Sequence, residues 1–228
     1  MEYYYCPEPA LGTLPPDESR HCIQVRRQTV GDIIHLLDGK GNTITAEILT
    51  AKAAALTFKI CTTKHEKEKT QLALAVAPVK NTDRLEWMVE KCTELGVSDL
   101  YFVKTSRTER KIINLDRLQK IAIAAMKQCG RSYLLRINDI QPLPTFLKNV
   151  NAEQKLVCLI PEQELKITPM HTTQSTIMLI GPEGDFDTAE VSAILNYGYH
   201  AIALGNNRLR TETAAITAAS IFMWESCK

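Results

Sequence analysis

The stretch from Ile177 to Ala214 constrains the fold of this chain more than any other. It contains the short apolar runs TIMLI and HAIAL, and each is followed by a polar loop and then by a helical pattern. Runs of this kind are typical of buried strands. Two such units so close in sequence place both loops at the carboxyl ends of neighbouring strands, where open α/β sheets bind ligands. The sequence therefore predicts a ligand site formed by the loops GPEGDF (Gly181–Phe186) and LGNNRLRTETA (Leu204–Ala214).

The pattern from residue 71 onwards is that of an α/β domain. QLALAVAP, DLYFV and LVCLIP are further apolar runs, and amphipathic helical patterns alternate with them. Asp83 with Glu86, and Asp187 with Glu190, have the spacing of a capping box, which predicts two helix starts. This alternation predicts a mostly parallel sheet.

Residues 1–70 have a different, all-β pattern. Short apolar runs are separated by turn signals, and the segment Asp38–Asn42 (DGKGN) predicts a hairpin turn because its glycines tolerate positive φ. Several short strands joined in this way indicate a small β-barrel. The polar run Thr62–Thr70 is typical of a linker or of an exposed hairpin end, so we place the domain boundary between residues 70 and 71.

Composition narrows the classes of protein that fit. With 45% hydrophobic and 23% charged residues, the chain has the composition of a globular protein, and no apolar run approaches the roughly 20 residues that span a bilayer. The amino end, MEYYYCPEPA, lacks the pattern of a secretion signal. Seven cysteines without a CxxC pair, and five histidines without metal-ligand spacing, indicate reduced thiols in the cytoplasm and no metal site.

The two loops match no common nucleotide-binding motif. GPEGDF lacks the G-x-x-x-x-G-K-[ST] pattern, and no G-x-G-x-x-G follows a strand. Gly181 and Gly184 allow the backbone to approach a ligand or to turn sharply, so GPEGDF alone is compatible with a plain turn. The second loop changes this interpretation because it carries more polar side chains than a short connection requires.

Charge is distributed unevenly along the chain. Nine Lys or Arg residues and two acidic residues lie between Lys104 and Arg136, whereas two Lys and seven acidic residues lie between Asn151 and Glu190. Such a basic segment is typical of a face that binds a polyanion, but a solvated helix face has the same charge. His21, Arg26 and Arg27 have the same two interpretations, as phosphate contacts or as plain surface groups.

Four motifs occur in order along the second domain: VEKCTELGV (Val89–Val97), QCGR (Gln128–Arg131), LIGPEGDF (Leu179–Phe186) and LGNNRLRTETA. Together they resemble the bacterial 16S rRNA (uracil-N3)-methyltransferase family of the SPOUT superfamily, the knotted methyltransferases. In the first domain, HCIQVRR before Gly31-Asp32 resembles the PUA-like RNA-binding domain of that family. The resemblance covers essentially the full chain.

The resemblance implies an α/β fold of SPOUT type. It consists of a trefoil-knotted, mostly parallel sheet with helices on both faces, preceded by a small PUA-like β-barrel domain. The segments around Leu159–Glu162, Gly181–Gly184 and Leu204–Leu209 would tie the knot. The resemblance also implies a cytoplasmic homodimer that binds S-adenosyl-L-methionine and acts on 16S rRNA or the small ribosomal subunit. Residues 1–70 would bind RNA, and residues 71–228 would form the methyltransferase domain.

The site residues that the resemblance implies lie mainly on the two loops and in the basic segment. Arg210 is the candidate for stabilising negative charge on uracil, and Glu183 and Glu212 are candidate bases or orienting groups. Capping a turn or a helix start remains an alternative for both glutamates. The cofactor-binding set is Leu159, Ile160, Pro161, Ile180, Gly181, Gly184, Leu204, Gly205, Asn206 and Leu209. The RNA-binding set is His21, Arg26, Arg27, Arg107, Arg110, Lys111, Lys127 and Arg131.

The chain departs from the family pattern at three places. Asp185 stands where the usual GPEGG has its last glycine. Asn207 and Arg208 stand at the usual arginine and aliphatic positions, and Arg26 stands where leucine is common. Nothing in the residues themselves selects N3 of uridine. A SPOUT enzyme acting on another RNA or atom and a non-catalytic RNA-binding ribosome-assembly protein are therefore the alternatives.

Overall fold

The computed structural model of the chain describes residues 2–68, 71–160 and 175–226. The chain divides into two compact units. Met1–Lys69 and Ile123–Leu134 form the first, and Thr70–Ala122 and Leu135–Lys228 form the second. The domain boundary between residues 70 and 71 stays a prediction, and the grouping of Ile123–Leu134 with the first unit has no counterpart in the sequence pattern.

A four-stranded sheet is the centre of the first unit. Strand β1 (Tyr3–Tyr5) runs parallel to β2 (Ile33–Leu37), and β3 (Asn42–Thr50) runs antiparallel to both β2 and β4 (Thr57–His65). Alternate residues of β1 and β3 are buried, as expected for a sheet with one face on a core. Between β1 and β2, the short helix α1 (Pro16–Arg20) continues into a π-helical turn.

The turn between β2 and β3 explains why Ile123–Leu134 belongs to the first unit. Gly41 donates its N–H to the carbonyl of Ser132, and Leu134 donates its N–H to the carbonyl of Gly39. A Cβ on Gly41, whose φ is 103°, would lie 2.5 Å from the ring of Tyr133. The glycine is therefore required both for the turn and for this close approach.

A six-stranded sheet is the centre of the second unit. Its order is β10-β8-β9-β5-β6-β7, and every pairing between its described strands is parallel, which confirms the predicted mostly parallel sheet. In chain order, the strands are β5 (Leu72–Val76), β6 (Asp99–Lys104), β7 (Arg136–Pro142), β8 (Gln154–Cys158), β9 (Thr176–Ile180) and β10 (His200–Ile202). All five residues of β9 are buried, because this strand lies inside the sheet and is covered on both faces.

Helices cover both faces of this sheet. Helices α4 (Leu143–Asn149) and α5 (Thr188–Asn196) lie on one face and α6 (Thr211–Ser226) on the other. Helix α2 (Thr82–Glu94) packs against α6, and α3 spans Leu115–Cys129. Residues of α4 and α5 share a core with the strand residues Ala75, Val157 and Ile177. Helix α6 packs against β5, β9 and α2, and covers the opposite side of the sheet.

One of the two predicted helix starts is wrong. Helix α2 has Asn81, not Asp83, at its N-cap, and the Asn81 side chain accepts a hydrogen bond from the Arg84 N–H at 3.0 Å. With Asn81 at the N-cap, the third helical position is Arg84, so Glu86 lies too far along the helix to complete a capping box and pairs instead with Arg117. The second predicted start is confirmed, since Asp187 and Glu190 form a full capping box at α5.

Candidate active site

Three neighbouring strands end at one cleft in the second unit. The expectation that the strands before the two loops are direct neighbours is wrong, because β8 lies between β9 and β10. All three strands run parallel, so the segments that follow them still meet at one edge of the sheet. They contribute residues 158–160, 180–183, 185, 204–205 and 207–209 to the walls of the cleft. The described parts of the three segments predicted to tie the knot therefore surround this cleft.

The cleft is lined by both apolar and polar residues. It holds about 530 Å³ of space, including its open mouth. The apolar members are Leu159, Ile160, Ile180, Leu204, Leu209 and Ala214. Charged and polar groups come from Glu183, Asp185, Asn207, Arg208 and Thr211. A ligand with an apolar ring and a polar tail suits such a mixed lining.

Side chains from other parts of the unit fix the first loop. Thr211 Oγ1 donates to the carbonyl of Gly181 at 3.0 Å, in a buried position. Arg208 Nη2 donates to the carbonyl of Glu183 at 2.7 Å, and Arg107 Nη1 donates to the carbonyl of Gly184. The peptide orientations of GPEGDF are therefore held by partners outside the loop.

We expect Thr211→Val to lower both the stability and the cofactor affinity of the protein. Valine keeps the shape of the side chain but leaves the buried Gly181 carbonyl without its donor, a change that costs about 1–3 kcal/mol. Chemical denaturation and calorimetry would measure the two effects. Thr213→Val, at an exposed position of the same helix, is the control. Equal behaviour of the two variants would contradict the role of the Thr211 hydroxyl.

The loop after β6 is bound to the start of α5. Ser106 donates its N–H to Glu190 Oε1 at 2.6 Å and its hydroxyl to Glu190 Oε2 at 3.2 Å. Hydrogen bonds, first from the Glu190 N–H and then from Ser106, hold the pKa of Asp187 below its ordinary value. The Asp187 cap therefore stays ionised. The Glu190 carboxylate links the loop after β6 to the start of α5, which directly follows the GPEGDF loop.

The three predicted catalytic residues lie in different surroundings. Glu183 is exposed and lines the cleft. Arg210 is exposed, lies between the cleft-lining residues Leu209 and Thr211, and accepts the Ala214 N–H on its carbonyl at 2.8 Å. Glu212 is 5% exposed, and its Oε1 lies 3.6 Å from Arg84 Nε on α2, so its described contact is with that helix and not with the cleft.

Most of the predicted cofactor-binding residues meet in the cleft. Gly184 and Asn206 are not among the residues of its wall, and Pro161 lies outside the described residues. The members that line it are Leu159, Ile160, Ile180, Gly181, Leu204, Gly205 and Leu209. Their roles in binding stay predictions.

Sequence reasoning missed several wall residues. Thr211 and Ala214 lie one helical turn apart at the start of α6, a spacing that could have indicated that both face the loop. Cys158 ends β8 and also lines the cleft. Burial raises the pKa of its thiol to about 12, so this wall carries a neutral thiol and not a nucleophilic thiolate.

The predicted RNA-binding residues of the second unit differ in their freedom to bind phosphate. Arg107 is occupied by the Gly184 carbonyl. Arg110 donates to the Lys80 carbonyl at 2.6 Å and to Thr82 Oγ1 at 2.7 Å. Lys111 is exposed and has no partner among the described residues. Arg107 and Arg110 therefore also hold the loop after β6 to the segments that carry Gly184 and Lys80.

Local acidic groups also occupy three of the predicted residues of the first unit, His21, Arg26 and Lys127. Arg26 Nε and His21 Nε2 lie 2.6 and 3.2 Å from the same oxygen of Glu2, and Lys127 pairs with Glu18. Arg27 is exposed and has a φ of 57°, rare for a residue other than glycine. Arg131 is half-buried. The assignment of these residues to RNA stays a prediction.

Two further searches cover only the described ranges. Within them, no helix is both long and apolar enough to cross a membrane. No group of three or more His, Cys, Asp or Glu residues in the same ranges is arranged to hold a metal ion.

The fold, together with two family matches and similar solved structures, defines the class of protein as an α/β methyltransferase of SPOUT type that follows a PUA domain. Residues 66–223 match the RNA methyltransferase domain family, and residues 14–61 match the RNA methyltransferase PUA domain family. The chain therefore belongs to the RNA methyltransferase family, and its resemblance to the bacterial 16S rRNA methyltransferases is confirmed.

Individual relatives agree with this assignment. The chain is 31% identical over 172 residues to ribosomal RNA small subunit methyltransferase E of Mesomycoplasma hyopneumoniae, covering 72% of this chain and 73% of the relative. It is similar to the crystal structure of a probable rRNA-methyltransferase from Porphyromonas gingivalis, with a TM-score of 0.92, 32% identity and coverage of 100% and 99%. It also resembles ribosomal RNA small subunit methyltransferase E from Neisseria gonorrhoeae bound to S-adenosyl methionine, with a TM-score of 0.86, 26% identity and coverage of 99% and 98%.

Proposed function

We propose that the protein is an S-adenosylmethionine-dependent methyltransferase that methylates N3 of a specific uridine in 16S rRNA. The observation that carries this proposal is the meeting of three strand-end segments around one cleft, with Glu183 in its wall and Arg210 beside it. The ribosomal small-subunit relatives support the substrate class. The choice of uridine N3 rests on the resemblance of the loop motifs.

The wall of the cleft suits the proposed cofactor. The apolar lining residues, which include Leu159, Leu204 and Leu209, suit the adenine ring, and Gly181 and Gly205 add no side chain to the wall. Polar backbone and side-chain groups are available for the ribose and the methionine tail. When bound, S-adenosyl-L-methionine supplies an electrophilic methyl group on a sulfonium centre.

Arg210 and Glu183 have the chemistry that the target base requires. The N3 edge of uracil is accessible only after the base leaves any stack, and N3 must lose a weakly acidic proton. The Arg210 guanidinium would stabilise the negative charge that develops on the base. Glu183, which is exposed and has no hydrogen-bond partner for its carboxylate among the described residues, would accept or orient the proton. Glu212 would instead position α6 through its contact with Arg84.

We propose that Lys111 contacts an RNA phosphate. Lys111→Ala should therefore weaken RNA binding and reduce the slope of log K against log salt by about 0.7–0.9, the value of one lost phosphate contact. Binding titrations over a range of salt concentrations would measure this slope. Lys148→Ala, at an exposed position of α4, is the control. An unchanged slope for Lys111→Ala would mean that this part of the basic segment is a solvated face.

We further propose that the protein works as a homodimer in the cytoplasm and without a metal. Sedimentation analysis at several protein concentrations would test the dimer. Full activity after treatment with a chelator would test the independence from metal.

Mass spectrometry of small-subunit rRNA from cells with and without the protein would test the function directly. We expect one methylated uridine to disappear in its absence, with a fragmentation pattern that places the methyl group on N3. A different lost modification would instead indicate a SPOUT enzyme for another RNA or atom. No lost modification, together with no binding of S-adenosylmethionine in calorimetry, would indicate the non-catalytic assembly role.

A further inference from the structure

Asp185 has a backbone conformation that aspartate adopts at a cost. Its φ is 61°, in the left-handed region that favours glycine. The conformation is held by the Asp185 N–H, which donates to the Pro182 carbonyl at 2.8 Å. A strained backbone conformation beside a ligand cleft indicates that the side chain of this residue has a function there.

The Asp185 carboxylate forms part of the cleft wall and is held in one orientation. Its Oδ1 accepts the N–H of Phe186 at 2.8 Å, and Phe186 is anchored in the core of the unit. A Cβ placed on Gly181 would lie 3.2 Å from the same Oδ1, so the carboxylate lies over Gly181. The second oxygen, Oδ2, has no hydrogen-bond partner among the described residues and remains available to a ligand.

The described wall of the cleft favours a cation. Its charged members are Glu183, Asp185 and Arg208. The Arg208 guanidinium already donates to the Glu183 carbonyl at 2.7 Å, whereas the Asp185 carboxylate is oriented only through Oδ1. Of the donor and product pair that the proposed function implies, the donor carries a sulfonium cation and the product is a neutral thioether.

We propose that Asp185 is a specificity-determining residue that favours the charged methyl donor over its neutral product. This inference rests on the proposed function. The carboxylate attracts the sulfonium of S-adenosylmethionine and has no such attraction for S-adenosylhomocysteine. For a partly exposed pair of charges, the expected preference is about fivefold. The consequence is weaker inhibition by product than in a family member with glycine at this position.

Calorimetry with both ligands tests the inference. Asp185→Asn removes the charge but keeps an oxygen for the Phe186 N–H and tolerates the left-handed backbone. We expect this variant to bind S-adenosylmethionine about fivefold more weakly and S-adenosylhomocysteine within twofold of the unchanged protein. Asp185→Gly should show the same loss of preference, which separates the effect of charge from that of backbone strain.

The control is Glu183→Gln, which removes the other carboxylate of the cleft wall. If Asp185→Asn changes both affinities by the same factor, or if only Glu183→Gln alters the preference, the role of Asp185 is overturned. If the unchanged protein binds neither ligand, the proposed function itself fails. Binding of both ligands with an unaltered preference in Asp185→Asn would overturn the inference about Asp185 alone.

Discussion

Arg210→Ala should reduce the rate of methyl transfer by about 10²–10³-fold while S-adenosylmethionine binds with nearly unchanged affinity. Removing one group that stabilises transition-state charge has an effect of this size. Arg210 is exposed beside the cleft and is not one of the residues that line it, so the cofactor should keep its contacts. Single-turnover kinetics on small-subunit rRNA and calorimetry with the cofactor would measure the two quantities separately.

The dependence of this loss on pH distinguishes a catalytic role from a structural one. The Arg210→Ala enzyme should recover part of its rate as the pH rises, because the solvent then removes the N3 proton without help from the guanidinium. Arg210→Lys keeps a positive charge without the planar donor group and should have intermediate activity. A full rate in Arg210→Ala, or a loss that is the same at every pH and accompanied by unfolding, would contradict the assignment.

Ala214→Leu should weaken the binding of S-adenosylmethionine by about 10- to 100-fold. Ala214 lines the cleft from the first turn of α6 and is 9% exposed, so a larger side chain takes space from the ligand. Forcing additional methylene groups into a packed site costs about 1–3 kcal/mol, which corresponds to this range of affinity. Calorimetry would measure the loss, and RNA binding to the same variant should be unaffected.

Thr213→Leu is the matched control for this prediction, since Thr213 is the preceding, exposed residue of the same helix. It should bind the cofactor as the unchanged protein does. If Ala214→Leu also keeps its affinity, the cofactor lies elsewhere, and the cleft between residues 158–160, 180–185 and 204–209 is not its site. Circular dichroism on both variants would show that the helix is intact.

The sheet could be predicted because its strands are short apolar runs that require burial on both faces. Helix α3, Leu115–Cys129, could be predicted because its apolar residues recur at helical spacing. Strand β7 could not be recognised, since this strand, Arg136–Pro142, has mixed polarity and no fully buried residue. The predicted start of α2 at Asp83 is wrong because Asn81 and Asp83 both have side chains that can cap a helix. Only the tertiary contacts of the folded chain decide which of the two is the N-cap.

The sequence predicts which loops form the cleft but not which residues contact each other there. Parallel strands with a shared edge are enough to bring Gly181 and Leu204 together. The partners of the basic residues depend instead on groups far away in the chain, such as Gly184 for Arg107. A count of charges along the sequence cannot show that Arg107, which is expected to contact RNA, donates to a carbonyl of the GPEGDF loop. Such a count contains no information on where each side chain lies in the fold.

The anchoring of the GPEGDF loop has a consequence for the order of folding. Its carbonyls receive donors from Arg107, 77 residues before Gly184, and from Arg208, 25 residues after Glu183. Each of these contacts requires the chain between its two partners to be ordered, because a contact of such separation forms only when the intervening loop is closed. The final conformation of the loop therefore depends on both distant segments. A partly unfolded chain without either segment would lack these anchors, so binding of the proposed cofactor would report that the domain is folded.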